Sequence, residues 1–275
     1  MTSLLRVVLA VLAVVLPVLA VHIVVSRLAP GMAASGVVSA CLGAAAGFWG
    51  YSVYVRRVEK RPLAEFAGEG ALGELGCGLL IGTSLFAATI GVLALLGVYH
   101  VTAMGTASDL IAALASAISA GVLEEIVFRG VIFRIMEAAL GSIVAVAASA
   151  AIFGLLHLIN PQATLQGAIA ISFEAGILLA AAYLLTRRLW LPIGLHVGWN
   201  FTQGGVFGAA VSGSASSGLL RGSLTGADWL SGGVFGPEAS IIAIAVCTTA
   251  GLGLLIGAGR KGSFRPAFWS KRSLA

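Results

Sequence analysis

The chain has 275 residues, 59% of them hydrophobic and only 10% charged, and its mean hydropathy is +1.04. A soluble domain carries roughly 25% charged residues, so a soluble globule, a DNA-binding module and a secreted disulfide scaffold are excluded as wholes. The 16 Lys and Arg against 11 Asp and Glu give a net charge of +5, which in so apolar a chain reports membrane topology, and no nucleic-acid partner is expected.

A helix needs about 20 apolar residues to cross a hydrocarbon core of ~30 Å. In chain order the spans are expected at about Val7–Val25, Gly36–Val55, Gly76–Val98, Asp109–Ala139, Ser142–Ile159, Gly167–Thr186, Trp190–Gly208 and Ala239–Gly259. The first is too long for a signal-peptide core and is followed by no cleavage site, so it reads as a retained span. Between the second and third, Leu63–Leu75 carries Glu65, Glu69 and Glu74 and reads as a solvated connector at the interface. The Gly- and Ser-rich stretch 209–237 reads as a loose outer loop. The 37 glycines follow no repeat and suit closely packed membrane helices, and Cys41, Cys77 and Cys247 show no paired spacing and read as small core residues.

The fold class is therefore an all-α, polytopic transmembrane helix bundle of about eight spans. Its expected parts are N-terminal spans and linker (1–108), a helical core (109–208), the outer loop (209–237) and a last helix with a basic tail (238–275). With both termini in the cytoplasm, the cytoplasmic side collects Arg6, Arg56, Arg57, Lys60, Arg61, Arg129, Arg134, Arg187, Arg188, Arg260, Lys261, Arg265, Lys271 and Arg272. Only Arg27 and Arg221 then lie outside, which sets an N-in, C-in orientation.

An ionised side chain inside a bilayer costs at least ~2.5–3.5 kcal/mol, so each one needs a partner or a function. The fourth span carries Glu124, Glu125 and Arg129, the fifth His157, the sixth Glu174, and the seventh His196 and Asn200. Glu125 and Arg129 stand at i and i+4 and can form an ion pair, which leaves Glu124 on a neighbouring face. Phe153 and His157, and His196 and Asn200, have the same spacing, so each pair projects from one helix face.

If the fourth and fifth spans form a hairpin turning at Gly141, Glu124 and His157 lie at nearly the same height, ~24 Å from the turn. His196 follows Arg188 by only ~12 Å of helix. The heights agree if the hairpin tip, with Arg134 and Glu137, projects beyond the membrane. A site in the cytoplasmic half of the bilayer, opening to the cytoplasm, is therefore expected.

Glu124-Glu125-Ile126-Val127-Phe128-Arg129 matches EExxxR, Phe153 to His157 matches FxxxH, and His196 to Asn200 matches HxxxN. In this order and inside spans, the three motifs resemble those of the CPBP intramembrane proteases, the family of type II CAAX prenyl proteases and bacteriocin-processing enzymes. The resemblance covers about Asp109 to Phe207. It implies an endopeptidase of a prokaryotic cell membrane, acting on a membrane-associated protein or peptide, CAAX-type prenylated chains included.

By that resemblance Glu124 is the general base and His157 orients the same water. His196 and Asn200 would donate to the oxyanion, Glu125 and Arg129 would hold the helix and tune Glu124, and Phe153 would shape the pocket wall. A metal-free, glutamate-based reaction is expected. A divalent metal such as zinc, on Glu124, His157 and His196, is the alternative, although HExxH is absent and Asn200 is a poor zinc ligand. Two rival functions stay open: a proton-coupled transporter using Glu124, Glu174 and the histidines, and a non-proteolytic immunity or regulatory member of the same family.

Overall fold

The computed structural model describes residues 2–29 and 33–269, so Lys271 and Arg272 of the cation count lie outside the described residues. Six successive helices are long and apolar enough to cross a membrane: α1 (Ser3–Leu28), α2 (Ser35–Glu59), α3 (Ala71–Leu95), α4 (Ala107–Leu140), α5 (Ser142–Ile159) and α6 (Leu165–Thr186). The stretch between α6 and the last span begins with α7 (Trp190–Asn200), continued by π-helical turns over Phe201–Val206. The final helix, α8 (Ile241–Arg260), again has the length and apolarity of a span.

The expected bundle is therefore present, with one helix shorter than a free-standing span. Residues 191–199 of α7 are all buried, so this helix is enclosed by protein and needs no lipid-facing length of its own. Beside the helices, β1 (Tyr99–Met104) pairs antiparallel with β2 (Leu220–Leu224), with a register shift between Val101 and Ala103.

Local chemistry sets the helix ends that matter for the site. Thr106 and Asp109 form a reciprocal capping box at the start of α4. Gly141, at φ +88°, separates α4 from α5, and a Cβ there would strike the backbone of Pro266 and Ala267.

The α3–α7 contact shows why glycine is so abundant. A Cβ on Gly82 would press into the Leu195 carbonyl and the Trp199 amide, and Gly194 and Gly198 face the Leu75–Leu79 backbone in the same way. Gly82→Ala is expected to destabilise the protein by about 1–3 kcal/mol. Gly73→Ala, whose Cβ would meet nothing within 4 Å, should leave stability unchanged or raise it by up to ~1 kcal/mol. Thermal midpoints in detergent check the contrast.

One end of the bundle is a belt of arginine–glutamate pairs. Arg134 meets Glu59 at 2.7 Å, Arg61 meets Glu59 at 2.7 Å and Glu65 at 2.8 Å, Arg187 meets Glu137 at 2.6 Å, and Arg188 pairs with Glu74. The tip of the α4–α5 hairpin thus lies among charged groups, as its Arg134 and Glu137 suggested.

The connector Leu63–Leu75 is exposed over much of its length, as expected, but it is pinned to the bundle at Glu65. Glu65 is buried, the Leu189 amide donates to the Glu65 carbonyl at 2.9 Å, and Trp190 Nε1 donates to the Ala67 carbonyl at 2.9 Å. Its partners come from residues far along the chain, which local polarity does not reveal.

The opposite end carries β1, β2 and the segment 209–237. That segment is folded rather than loose. Asn160 Nδ2 donates to the Ser212 carbonyl at 2.7 Å, the Gln162 amide to Gly213 at 3.0 Å, and the Gly213 amide to Phe235 at 2.7 Å. Of the three cysteines only Cys247 is buried, whereas Cys41 and Cys77 are exposed on the bundle surface.

Candidate active site

The middle of α4 brings the first charged group to the site. Its hydrogen bonding changes from α to π over Ile126–Phe133, and π turns recur at Ser172–Ile177 in α6 and Phe201–Val206 after α7. Such turns shift which residues share a face and are frequent at functional sites. Beside Gly121, where a Cβ would strike Val197, α4 and α7 come close enough for their polar residues to meet.

Glu125 and Arg129 form the expected pair, with Arg129 Nη1 at 2.8 Å from Glu125 Oε1 and both side chains buried. Arg129 also donates to the carbonyls of Ala175 at 3.1 Å and Gly176 at 3.2 Å. Its guanidinium lies 4.7 Å from the Phe153 ring centroid, a cation–π contact. A buried pair with its remaining donors satisfied can persist in the interior.

His196 completes this cluster: its Nδ1 lies 2.9 Å from Glu125 Oε1. A carboxylate only accepts, so Nδ1 carries the proton and donates it. Nε2 then faces Glu124 Oε2 at 4.0 Å. Glu124 is set apart from Glu125 as the helical spacing required, with 32% of its side chain exposed.

His157 is oriented by the same logic. Its Nδ1 lies 2.7 Å from the Phe153 carbonyl, so that nitrogen donates and the lone pair of a neutral ring sits on Nε2. Glu124, His157, His196 and Asn200 all line one cavity of about 420 Å³. The Phe153 ring lies tilted at 4.7 Å from His157 and edge-on at 6.3 Å from His196. It forms the buried floor beneath the histidines, while Phe128 supplies the wall.

The cavity opens towards the β1–β2 end, away from the arginine belt. From Glu124 its wall climbs α4 through Ala120 and Ala117 to Ala113, ~16 Å towards the β1–β2 end. Ser214 and Ala215, both exposed, form its rim. Towards the arginine belt its lining on α4 ends at Phe128, beyond which Arg129, Val131 and Phe133 are buried, as is Phe153. The site and the arginine-rich end therefore do not share an opening, because segment 209–237 folds over the first and the aromatic floor seals it from the second.

Among the described residues no group of three His, Cys, Asp or Glu side chains could hold a metal ion.

Behind His196 lies a smaller pocket lined also by Glu174, Trp199 and Glu238. Glu174 Oε1 accepts from Cys247 Sγ at 3.8 Å, the kind of buried polar partner its mid-span position calls for. Glu238 was not singled out in the sequence because it precedes the last span inside a loop-like stretch. The structure buries it and lets the Ser212 amide donate to it.

Burial pushes the Glu238 carboxyl up to about 7, against the opposite pull of hydrogen bonds from Gln203 and Ser212. The folded protein thus holds this proton over a range in which the unfolded chain, near 4.5, has lost it. Stability is fully present below pH 4.5 and falls as pH rises to about 7, by roughly 2–4 kcal/mol for this group. In Glu238→Gln that part of the pH dependence of the thermal midpoint should vanish.

Comparison with known proteins matches residues 106–202 to the family described as Rce1-like, type II CAAX prenyl endopeptidase Rce1-like. No curated protein and no solved structure matches the chain. The matched stretch holds Glu124, Glu125, Arg129, Phe153, His157, His196 and Asn200.

Proposed function

We propose that the protein, whose residues 106–202 match the family of type II CAAX prenyl endopeptidases described as Rce1-like, is an intramembrane protease of the CPBP type that hydrolyses a peptide bond of a membrane-associated protein or peptide by glutamate-based catalysis. The observation that carries this reading is the division of labour between adjacent carboxylates. Glu125 is held by Arg129 and His196, whereas Glu124 faces the cavity shared with His157, His196 and Asn200.

In the reaction, water sits between Glu124 and His157 Nε2, and Glu124 takes its proton as the oxygen attacks the scissile carbonyl carbon. The carbonyl electron pair moves to oxygen, where His196 Nε2–H and the Asn200 amide donate to it. Because Nδ1–H of His196 is engaged by Glu125, the ring donates through Nε2–H in its imidazolium form. As the intermediate collapses the C–N bond breaks, and Glu124 returns its proton to the leaving amine.

The test uses the protein purified in detergent with a prenylated CAAX peptide and a panel of membrane peptides. Cleavage of at least one substrate is expected, unchanged by strong chelation. His196→Ala is expected to lose about 10²–10³-fold in kcat, and His157→Ala should fall in parallel. Loss of all cleavage on chelation would contradict the glutamate-based reading.

A further inference from the structure

Two independent features of the chain, its cation distribution and the direction of its cavity, bear on which side of the membrane supplies the substrate. The belt end carries Arg6, Arg56, Arg57, Lys60, Arg61, Arg134, Arg187, Arg188, Arg260, Lys261 and Arg265. The Tyr54 hydroxyl donates to the Arg6 carbonyl at 3.0 Å, and Arg187 bonds the Ser263 carbonyl, so the start of α1 and the chain after α8 both join this end. At the β1–β2 end the described cations are Arg27 and Arg221, the latter 3.1 Å from Asp109. Lys and Arg in short loops mark the cytoplasmic side, and Asp and Glu count for little in that bias.

The cavity, by contrast, rises from Glu124 to the β1–β2 end. Its mouth is a built structure: Asn160 and Gln162, just beyond His157, bond Ser212 and Gly213 and hold the rim over the site. The route towards the belt is blocked by the Arg129–Phe153 stack, with Arg129 tied to Glu125, Ala175 and Gly176.

We propose that this site is entered from the extracytoplasmic face, and that its substrate is a membrane-anchored polypeptide whose cleaved segment lies on that face. The proposal rests on the peptidase reading for its substrate and on the fold and cation pattern for its sidedness. The mouth narrows the chemistry further. Its walls include Ala113, Ser116, Ser214 and Ser216 together with the apolar Leu156 and Ile159, and no Lys, Arg or Asp lines the cavity. An extended segment with small, uncharged residues around the scissile bond fits it. A chain prenylated at a cytoplasmic C-terminus would present its bond on the sealed side.

The test is thiol labelling of the full chain in intact cells. In a background with Cys41, Cys77 and Cys247 replaced by Ser or Ala, Ala215→Cys reports the cavity rim and Lys261→Cys the belt. Both positions are exposed. A membrane-impermeant maleimide is expected to label Ala215→Cys in intact cells as fully as in lysed ones. Lys261→Cys should gain its label only on lysis. The reverse pattern, or equal protection of both until lysis, overturns the proposal. Labelling needs no turnover, so its failure leaves the peptidase reading standing. Absence of cleavage in detergent, where both faces are open, would count against that reading alone.

Discussion

Glu124→Gln is expected to lower the rate of peptide cleavage by roughly 10²–10⁴-fold, the usual contribution of a positioned general base. The amide keeps the size of the side chain but cannot accept the proton of the attacking water. Folding should survive the change. Glu124 is part-exposed to the cavity and only approaches His196 at 4.0 Å, so the loss of stability read from the thermal midpoint in detergent should be no more than about 1 kcal/mol. Glu125→Gln provides the contrast: it lies one residue away yet removes the negative charge that Arg129 and His196 share, so it should impair stability and activity together. Similar activity losses with unequal stability losses would separate the base from its support.

The largest expected effect on stability is that of Arg129→Met. It leaves the Glu125 carboxylate fully buried with no cation at 2.8 Å, while Glu125 Oε2 already lacks a hydrogen-bond partner. Removing one partner of a buried pair costs about 3–5 kcal/mol, mainly through the charge left behind. The Ala175 and Gly176 carbonyls lose their donors as well. The double variant Glu125→Gln/Arg129→Met should therefore be more stable than Arg129→Met alone. A double-mutant cycle of unfolding midpoints measures this. Additive losses would mean that the two side chains do not act as a pair.

What could be read from the sequence was what depends on one helix at a time. The i, i+4 spacing gave the Glu125–Arg129 pair and set Glu124 on another face, and both features are present. The hairpin turn at Gly141 brought His157 to the height of Glu124, and they line one cavity. The approach of His196 to both carboxylates needed the crossing of α4 and α7 at Gly121 and the π turns after Glu125, which no periodicity announces.

The end at which the cavity opens was not legible in the sequence for a related reason. Rise per residue gives the height of a group but not the side on which the protein opens. That side was decided by 209–237, whose glycines and serines carry no pattern, and by the Arg129–Phe153 floor, whose parts are on different helices. Glu65 and Glu238 were likewise invisible as buried groups, since the residues that enclose them lie elsewhere in the chain.

The central claim, that Glu124 delivers water to a peptide bond, has one direct readout. The purified protein is incubated with a cleaved membrane peptide in H₂¹⁸O, and the products are weighed by mass spectrometry. One ¹⁸O at the new C-terminus with the wild type, and almost no product with Glu124→Gln at equal folded concentration, is the predicted result. Cleavage at the wild-type rate by Glu124→Gln, with the same label, would contradict it.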